Sequence, residues 1–251
     1  MKRIHMLAAA LAFTFSVGSA EAAKVRIGYW SSGVSLGFGS FLEAGKFMEK
    51  QGLEVEYVKF PDVNAPTKAM AAGAIDFAIG ASAGSALSVA TDGLPVSIVL
   101  ATQVADLDFV VLADSPVKLR KIGSFRAEWK TITGKDAPPV LGVGLMRDAW
   151  MKENPDAPAR VVAGMRNAFE AGKADKDGVA KALMAAGNIK EADAKAYAAL
   201  WDGIYTVSME PADIASLKAE FEVFKSVGAV KGTLPDAALN PAPYEASKAI
   251  K

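Results

Sequence analysis

Ala69-Met70-Ala71-Ala72-Gly73-Ala74-Ile75-Asp76-Phe77-Ala78-Ile79-Gly80, continued by Ala81-Ser82-Ala83-Gly84-Ser85, decides the reading of the fold. The first residues close a helix predicted from about Ala65 to Ala72, entered through Pro61 and Asn64. Gly73 to Gly80 is a short apolar run bounded by glycines, the pattern of a buried strand. Ala81 to Ser85 opens a second helix that continues through Thr91. Helix, buried strand and helix in direct succession are the repeating unit of an α/β sheet.

The same rhythm extends outward. Upstream, Lys24 to Trp30 reads as a strand with Val25 and Ile27 on one face, and Ser31-Ser32-Gly33-Val34-Ser35 as a small polar loop. Phe41, Leu42, Gly45 and Met48 recur at helical spacing within Gly39 to Gln51, with Glu43, Lys46, Glu49 and Lys50 facing outward. Gly52 stops that helix. Leu53, Val55 and Tyr57 alternate with charged residues toward Phe60, as in a half-exposed strand.

Downstream, Pro95 to Ala101, Asp108 to Ala113 and Val140 to Leu145 read as strands. Ser115 to Pro139 shows no convincing element, and Glu128-Trp129-Lys130 reads as a surface turn. Everything after Leu145 reads as helical: Arg147 to Lys152, Pro158 to Ala171, Lys176 to Ala186, Glu191 to Trp201 and Pro211 to Val227. Gly172 to Gly178 reads as a solvated loop, and the Pro- and Ala-rich tail from Leu234 as a surface wrap. The scattered methionines read as gap-filling core. Strands alternating with helices predict a largely parallel sheet.

Residues 1–22 read as a signal peptide. Lys2, Arg3 and His5 form a basic start, Met6 to Val17 a short apolar run, and Ala20-Glu21-Ala22 a small-x-small cleavage site. The run is too short for a membrane span, which needs about 20 residues. The alternative, a buried N-terminal helix, should show a polar face, and this run shows none. A soluble, periplasmic mature protein is expected.

The chain has no cysteine and one histidine, His5, which leaves with the signal. Ser-His and Cys-His catalysis are therefore excluded for the mature chain, and no metal or cofactor site is expected. The 28 basic and 28 acidic residues balance without blocks of either sign. A nucleic-acid partner, which would need a basic excess, is not expected.

At this point the sequence resembles the sulfonate, nitrate, taurine and pyrimidine-precursor receptors of the SsuA/THI5-like (NMT1-like) group. The resemblance is carried by Val25-Arg26-Ile27-Gly28-Tyr29-Trp30, by Ala69 to Gly80, and by Val111-Leu112-Ala113-Asp114-Ser115-Pro116. Val143 to Trp150 with Asn154-Pro155-Asp156 extends it. It implies a type II periplasmic binding protein fold and a receptor that captures a small anion or pyrimidine-like precursor. It also implies delivery to a membrane permease with its ATPase, and no enzyme activity. A pyrimidine-forming synthase shares the fold, but its cysteine-rich signature has no counterpart in a chain without cysteine.

The candidate ligand-binding residues are Trp30, Ser31, Ser32, Ser82, Ala83, Ser85, Thr102 and Gln103. Ser82 to Ser85 sit where a helix starts after a strand, and helix N-termini present unpaired N–H groups and partial positive charge to an anion. Strand carboxyl ends are also where open α/β sheets bind ligands. Helix capping accounts equally well for Ser82 and Ser85. Trp30 fits either a pocket wall or the core.

The resemblance implies a second lobe between Pro116 and the returning strand. One β-α-β unit needs about 30 residues, and only 23 lie between Pro116 and Val140. Lys121-Ile122-Gly123 resembles that lobe's first strand and runs directly into Ser124 to Trp129, which resembles its far end. The expected organisation is a first lobe over 23–115, a remnant of the second over 116–139, and a return strand with C-terminal helices over 140–251. A one-lobed receptor is expected to bind weakly, because hinge closure normally sequesters the ligand. A truncated interaction protein without ligand binding is the alternative.

Overall fold

The computed structural model describes residues 22–104 and 125–251. The signal segment, the strand predicted over Asp108 to Ala113, its Asp114-Ser115-Pro116 exit and Lys121 to Ser124 lie outside them, apart from Ala22.

Alternating burial makes Lys24–Trp30 the first strand, β1, with Val25, Ile27 and Tyr29 fully buried. Helix α1 follows (Gly33–Ala44), then β2 (Glu54–Phe60), α2 (Ala65–Ala71), β3 (Phe77–Ser82), α3 (Ala83–Thr91) and β4 (Val96–Val104). After the undescribed segment come α4 (Phe125–Thr133), β5 (Val140–Arg147), α5 (Asp148–Glu153), α6 (Ala157–Ala174), α7 (Lys176–Gly187), α8 (Glu191–Ala199) and α9 (Trp201–Ile204). β6 (Tyr205–Ser208), α10 (Pro211–Ser226) and α11 (Ala242–Ser247) complete the chain.

The described strands form one six-stranded sheet in the order β2-β1-β3-β5-β4-β6. From β1 the chain steps to β2 on one side and then to β3 on the other. Right-handed crossovers taken in opposite directions place α1 and α2 on opposite faces. β1 pairs in parallel with both β2 and β3. β5 runs antiparallel between β3 and β4, and β6 is antiparallel to β4. The sheet is therefore mixed, not largely parallel. β5 inserts between two strands that run the other way.

Several local expectations are corrected. The polar stretch Gly33 to Ser35 is the first turn of α1, which ends at Ala44, five residues before a separate 3-10 turn at Glu49–Gln51 closed by left-handed Gly52. Aromatic packing decides this: Phe38, Phe41 and Leu42 are buried, and the helix starts as soon as their spacing permits. β3 begins at Phe77, because Gly73 to Ile75 form a turn, and it extends to Ser82. Phe125–Thr133 is helical, and Trp129 is buried in it with Nε1 donating to the Ala137 carbonyl at 3.0 Å, so this is no surface turn.

The region read as helical throughout contains β6, whose Tyr205 and Val207 face the core. Gly172 is not in a loop. It lies within α6 against Trp201, and Asp175 caps α7 by accepting from the Gly178 N–H at 2.8 Å. The tail from Leu234 docks rather than wraps: Leu239 bridges to Ile98, and Tyr244 is buried in α11. The methionine reading holds for Met48, Met70, Met146, Met165 and Met209, all buried. No described helix is long and apolar enough to cross a membrane.

Candidate functional site

β3 ends where α3 begins, and that junction forms one wall of a cavity of about 650 Å³. Its volume falls within the range of small-molecule sites. The end of β3 contributes Ser82, and α3 contributes Ala83, Gly84, Ser85 and Ser88. α4 contributes Glu128, Trp129 and Ile132, and the start of β5 contributes Val140 and Leu141. α10 closes the cavity with Glu220, Val223 and Phe224.

The α3 end of the cavity leaves its helix terminus without a side-chain cap. Ser82 holds the cap position, yet its side chain makes no capping hydrogen bond. The Ser85 hydroxyl donates instead to Asn64 Oδ1 at 2.9 Å, which ties α3 to the residue preceding α2. Neither serine therefore acts as a cap, and among the described residues no side chain accepts from the first-turn N–H groups. No acidic residue occupies that turn. Gly84 faces α10: a Cβ there would meet the Phe224 ring at 3.4 Å, an ordinary van der Waals distance.

The opposite wall carries a group that the sequence reading did not single out. Ser216, Glu220 and Phe224 follow one another at four-residue spacing and share a face of α10. The Ser216 hydroxyl donates to the Pro138 carbonyl at 3.0 Å. Glu220, only 3% exposed, accepts the Val140 N–H through Oε1. Burial pushes its carboxyl up to about 8, while the Val140 N–H pulls the other way. The signal was present in the sequence, since Glu220 lies on the apolar stripe of this helix beside Leu217 and Phe221. A carboxylate there is out of place unless it has a partner or a task.

The other predicted site residues are not among the lining of this cavity. The Trp30 ring packs over Gly33, whose φ is +59°, and Nε1 donates to the Pro61 carbonyl at 3.2 Å. Ser31 is committed to the β1–β2 edge, donating through both N–H and hydroxyl to the Phe60 carbonyl at 2.8 Å. Ser32 is exposed and precedes α1.

Thr102 and Gln103 do not follow a strand. Both lie within β4 and are buried, because pairing with β5 continues three residues past Ala101. Gln103 fills the space above two glycines: a Cβ at Gly142 would lie 2.4 Å from its Oε1, and one at Gly80 2.9 Å from its Nε2. The Thr102 hydroxyl is buried without a hydrogen-bond partner among the described residues. Ser82, Ala83 and Ser85 are thus the predicted residues that the fold brings to one cavity.

No group of His, Cys, Asp or Glu among the described residues could hold a metal ion. No curated protein matches the chain by sequence. A family model described as NMT1/THI5 like matches residues 43–122. The alkanesulfonate-binding protein SsuA from Xanthomonas axonopodis pv. citri, bound to MOPS, superposes with a TM-score of 0.62 at 17% identity. That match covers 90% of this chain and 99% of that one. The periplasmic aliphatic sulphonate binding protein SsuA from Escherichia coli gives 0.61 at 13% identity, covering 86% and 92%. A ligand-binding component of an ABC-type import system from Staphylococcus aureus, with zinc bound, gives 0.61 at 11% identity, covering 89% and 98%. These matches show the fold, which is that of periplasmic binding proteins.

Proposed function

We propose that this chain, with an NMT1/THI5-like segment set in a periplasmic binding protein fold, is the solute-binding receptor of an ABC-type importer and not an enzyme. The observation that carries this is the cavity at the β3–α3 junction, where the first turn of α3, without a side-chain cap, lines a pocket with largely apolar walls. Donors at one end and apolar walls around them suit an organic solute with an acidic or acceptor group, such as a sulfonate or a pyrimidine-like precursor. Ser82, Ala83 and Ser85 are the residues assigned to that group. Delivery to a permease and its ATPase completes the role. The one described helix between Pro116 and Val140, α4, serves as the cavity's cover in place of a full second lobe.

Calorimetric titration with sulfonates, taurine, nitrate, bicarbonate and pyrimidine precursors is the direct test. Saturable binding of at least one organic solute is expected, weakened about tenfold by Gly84→Val, which intrudes on the helix end without removing a charge. Absence of binding across the panel would leave the truncated interaction protein as the better reading.

Export is tested separately. Intact-mass measurement of periplasmic protein is expected to give an N-terminus within a residue or two of Ala23. Recovery of uncleaved chain from the cytoplasm would overturn the localisation.

A further inference from the structure

Glu220 is the buried ionisable group of the cavity, and binding of an anionic group at α3 does not use it. Oε1 takes the Val140 N–H, and the second oxygen has no protein partner among the described residues. An ionised carboxylate can accept about four hydrogen bonds, so most of its capacity is unfilled. The lining residues include no Lys, Arg or His. Among the described residues, Glu128 on α4 is the only other titratable group facing the cavity; α3 brings serines, and the start of β5 brings Val140 and Leu141. Among the described residues, an anion pressed against this wall would meet carboxyl groups and no cation. A protonated nitrogen would supply both the missing donor and the missing charge.

We propose that Glu220 is a specificity-determining residue whose free oxygen receives the protonated amine of an organic ligand seated against Trp129 and Phe224. This inference rests on the receptor reading above and deepens it.

The proposal fixes a linkage. The apo carboxyl keeps its proton up to about pH 8 because it is buried. An ammonium arriving beside it favours the carboxylate, so binding below that pH releases the Glu220 proton. Affinity for an amine then rises about tenfold per pH unit from about pH 6 to about pH 8. It levels off above that, until the amine itself deprotonates near the ordinary value of about 10.4. An anion would instead lose affinity as pH passes about 8, when Glu220 ionises.

The test uses three isosteric probes: 2-phenylethylamine, 2-phenylethanol and 2-phenylethanesulfonate. Each is titrated calorimetrically into the purified protein at about pH 6 and about pH 8, and near neutrality in two buffers of different ionisation enthalpy. The amine is expected to bind at least about tenfold more tightly than the alcohol near pH 8, with release of about one proton near neutrality. Glu220→Gln keeps an acceptor for the Val140 N–H and is expected to abolish both the amine preference and the pH slope while alcohol binding persists.

Preference for the sulfonate, amine binding without proton release, or unchanged behaviour of Glu220→Gln overturns the proposal. Binding of the alcohol and sulfonate but not the amine overturns it while the receptor reading stands. Binding of none overturns it as well, and the receptor reading is then judged by its own solute panel. Proton release by the unsubstituted protein decides the matter if the variant does not fold.

Discussion

Asp76→Ala is expected to destabilise the protein by about 3–5 kcal/mol, the loss that follows when one member of a buried ion pair is removed. Asp76 is 3% exposed and immediately precedes β3. Its Oδ2 accepts from the Arg26 N–H at 3.0 Å and from Arg26 Nε at 2.9 Å. Its Oδ1 accepts from Arg26 Nη2 at 2.9 Å and from Arg147 Nη2 at 2.6 Å. Its backbone continues the clip, donating to the Arg26 carbonyl at 2.8 Å and accepting from the Arg147 N–H at 3.0 Å. Arg26 lies on β1 and Arg147 ends β5, the two neighbours of β3. One carboxylate therefore fastens three adjacent strands, and its loss leaves two guanidinium groups facing each other. Those side chains are 30% and 23% exposed, which lets water offset part of the cost and favours the lower end of the range.

The pH dependence has a definite sign. Burial alone would raise the Asp76 carboxyl, but hydrogen bonds from Arg26 and Arg147 outweigh it and hold the group below its ordinary value. The unfolded chain therefore binds the proton first. The stabilisation is complete above an unfolded value of about 3.9 and is lost as pH falls through the lower folded value. Urea unfolding is expected to show stability declining below about pH 4, with a shallower decline in Asp76→Asn. A loss under about 1 kcal/mol in Asp76→Ala at neutral pH would show that this network is no more than an ordinary surface pair.

Trp201→Ala is expected to cost about 3–5 kcal/mol, as large aromatic truncations in cores do. Trp201 is fully buried. Its ring stacks on Phe38 with centroids 5.3 Å apart and meets Phe41 and Tyr205 edge-on at 5.5 and 4.6 Å. Its Nε1 donates to the Phe169 carbonyl at 3.1 Å. Gly172 gives it room, since a Cβ there would lie 2.4 Å from the indole ring. The ring thus joins α1, α6 and β6, elements far apart in the chain. Trp201→Phe is expected to lose markedly less, because it retains most of the apolar volume and forfeits one hydrogen bond. Equal losses for the two variants in denaturant unfolding would mean that the hydrogen bond, not packing, dominates.

Periodicity made the α/β character legible from the sequence alone. The buried strand core at Phe77–Gly80 and the helices on either side lie where the apolar runs demand, although the strand runs from Phe77 to Ser82 and its ends do not fall at the glycines. Ser82, Ala83 and Ser85 were equally legible as the start of a helix after a strand, because that junction is local. Tertiary structure decided what depends on distant partners. The direction of β5 is set by its pairing with β3 and β4, so a largely parallel sheet could not be told from a mixed one by counting elements. β6, a four-residue strand, has no period of its own to display and exists because the edge of β4 is available to it. Trp129 belongs to the cavity wall only because α4 comes to line the same cavity as α3 and α10. Glu220 stood in plain view on an apolar stripe, but its task is created by the apolar walls around it. Desolvation and a free carboxyl oxygen are properties of an enclosure, and an enclosure is made by residues that meet only in three dimensions.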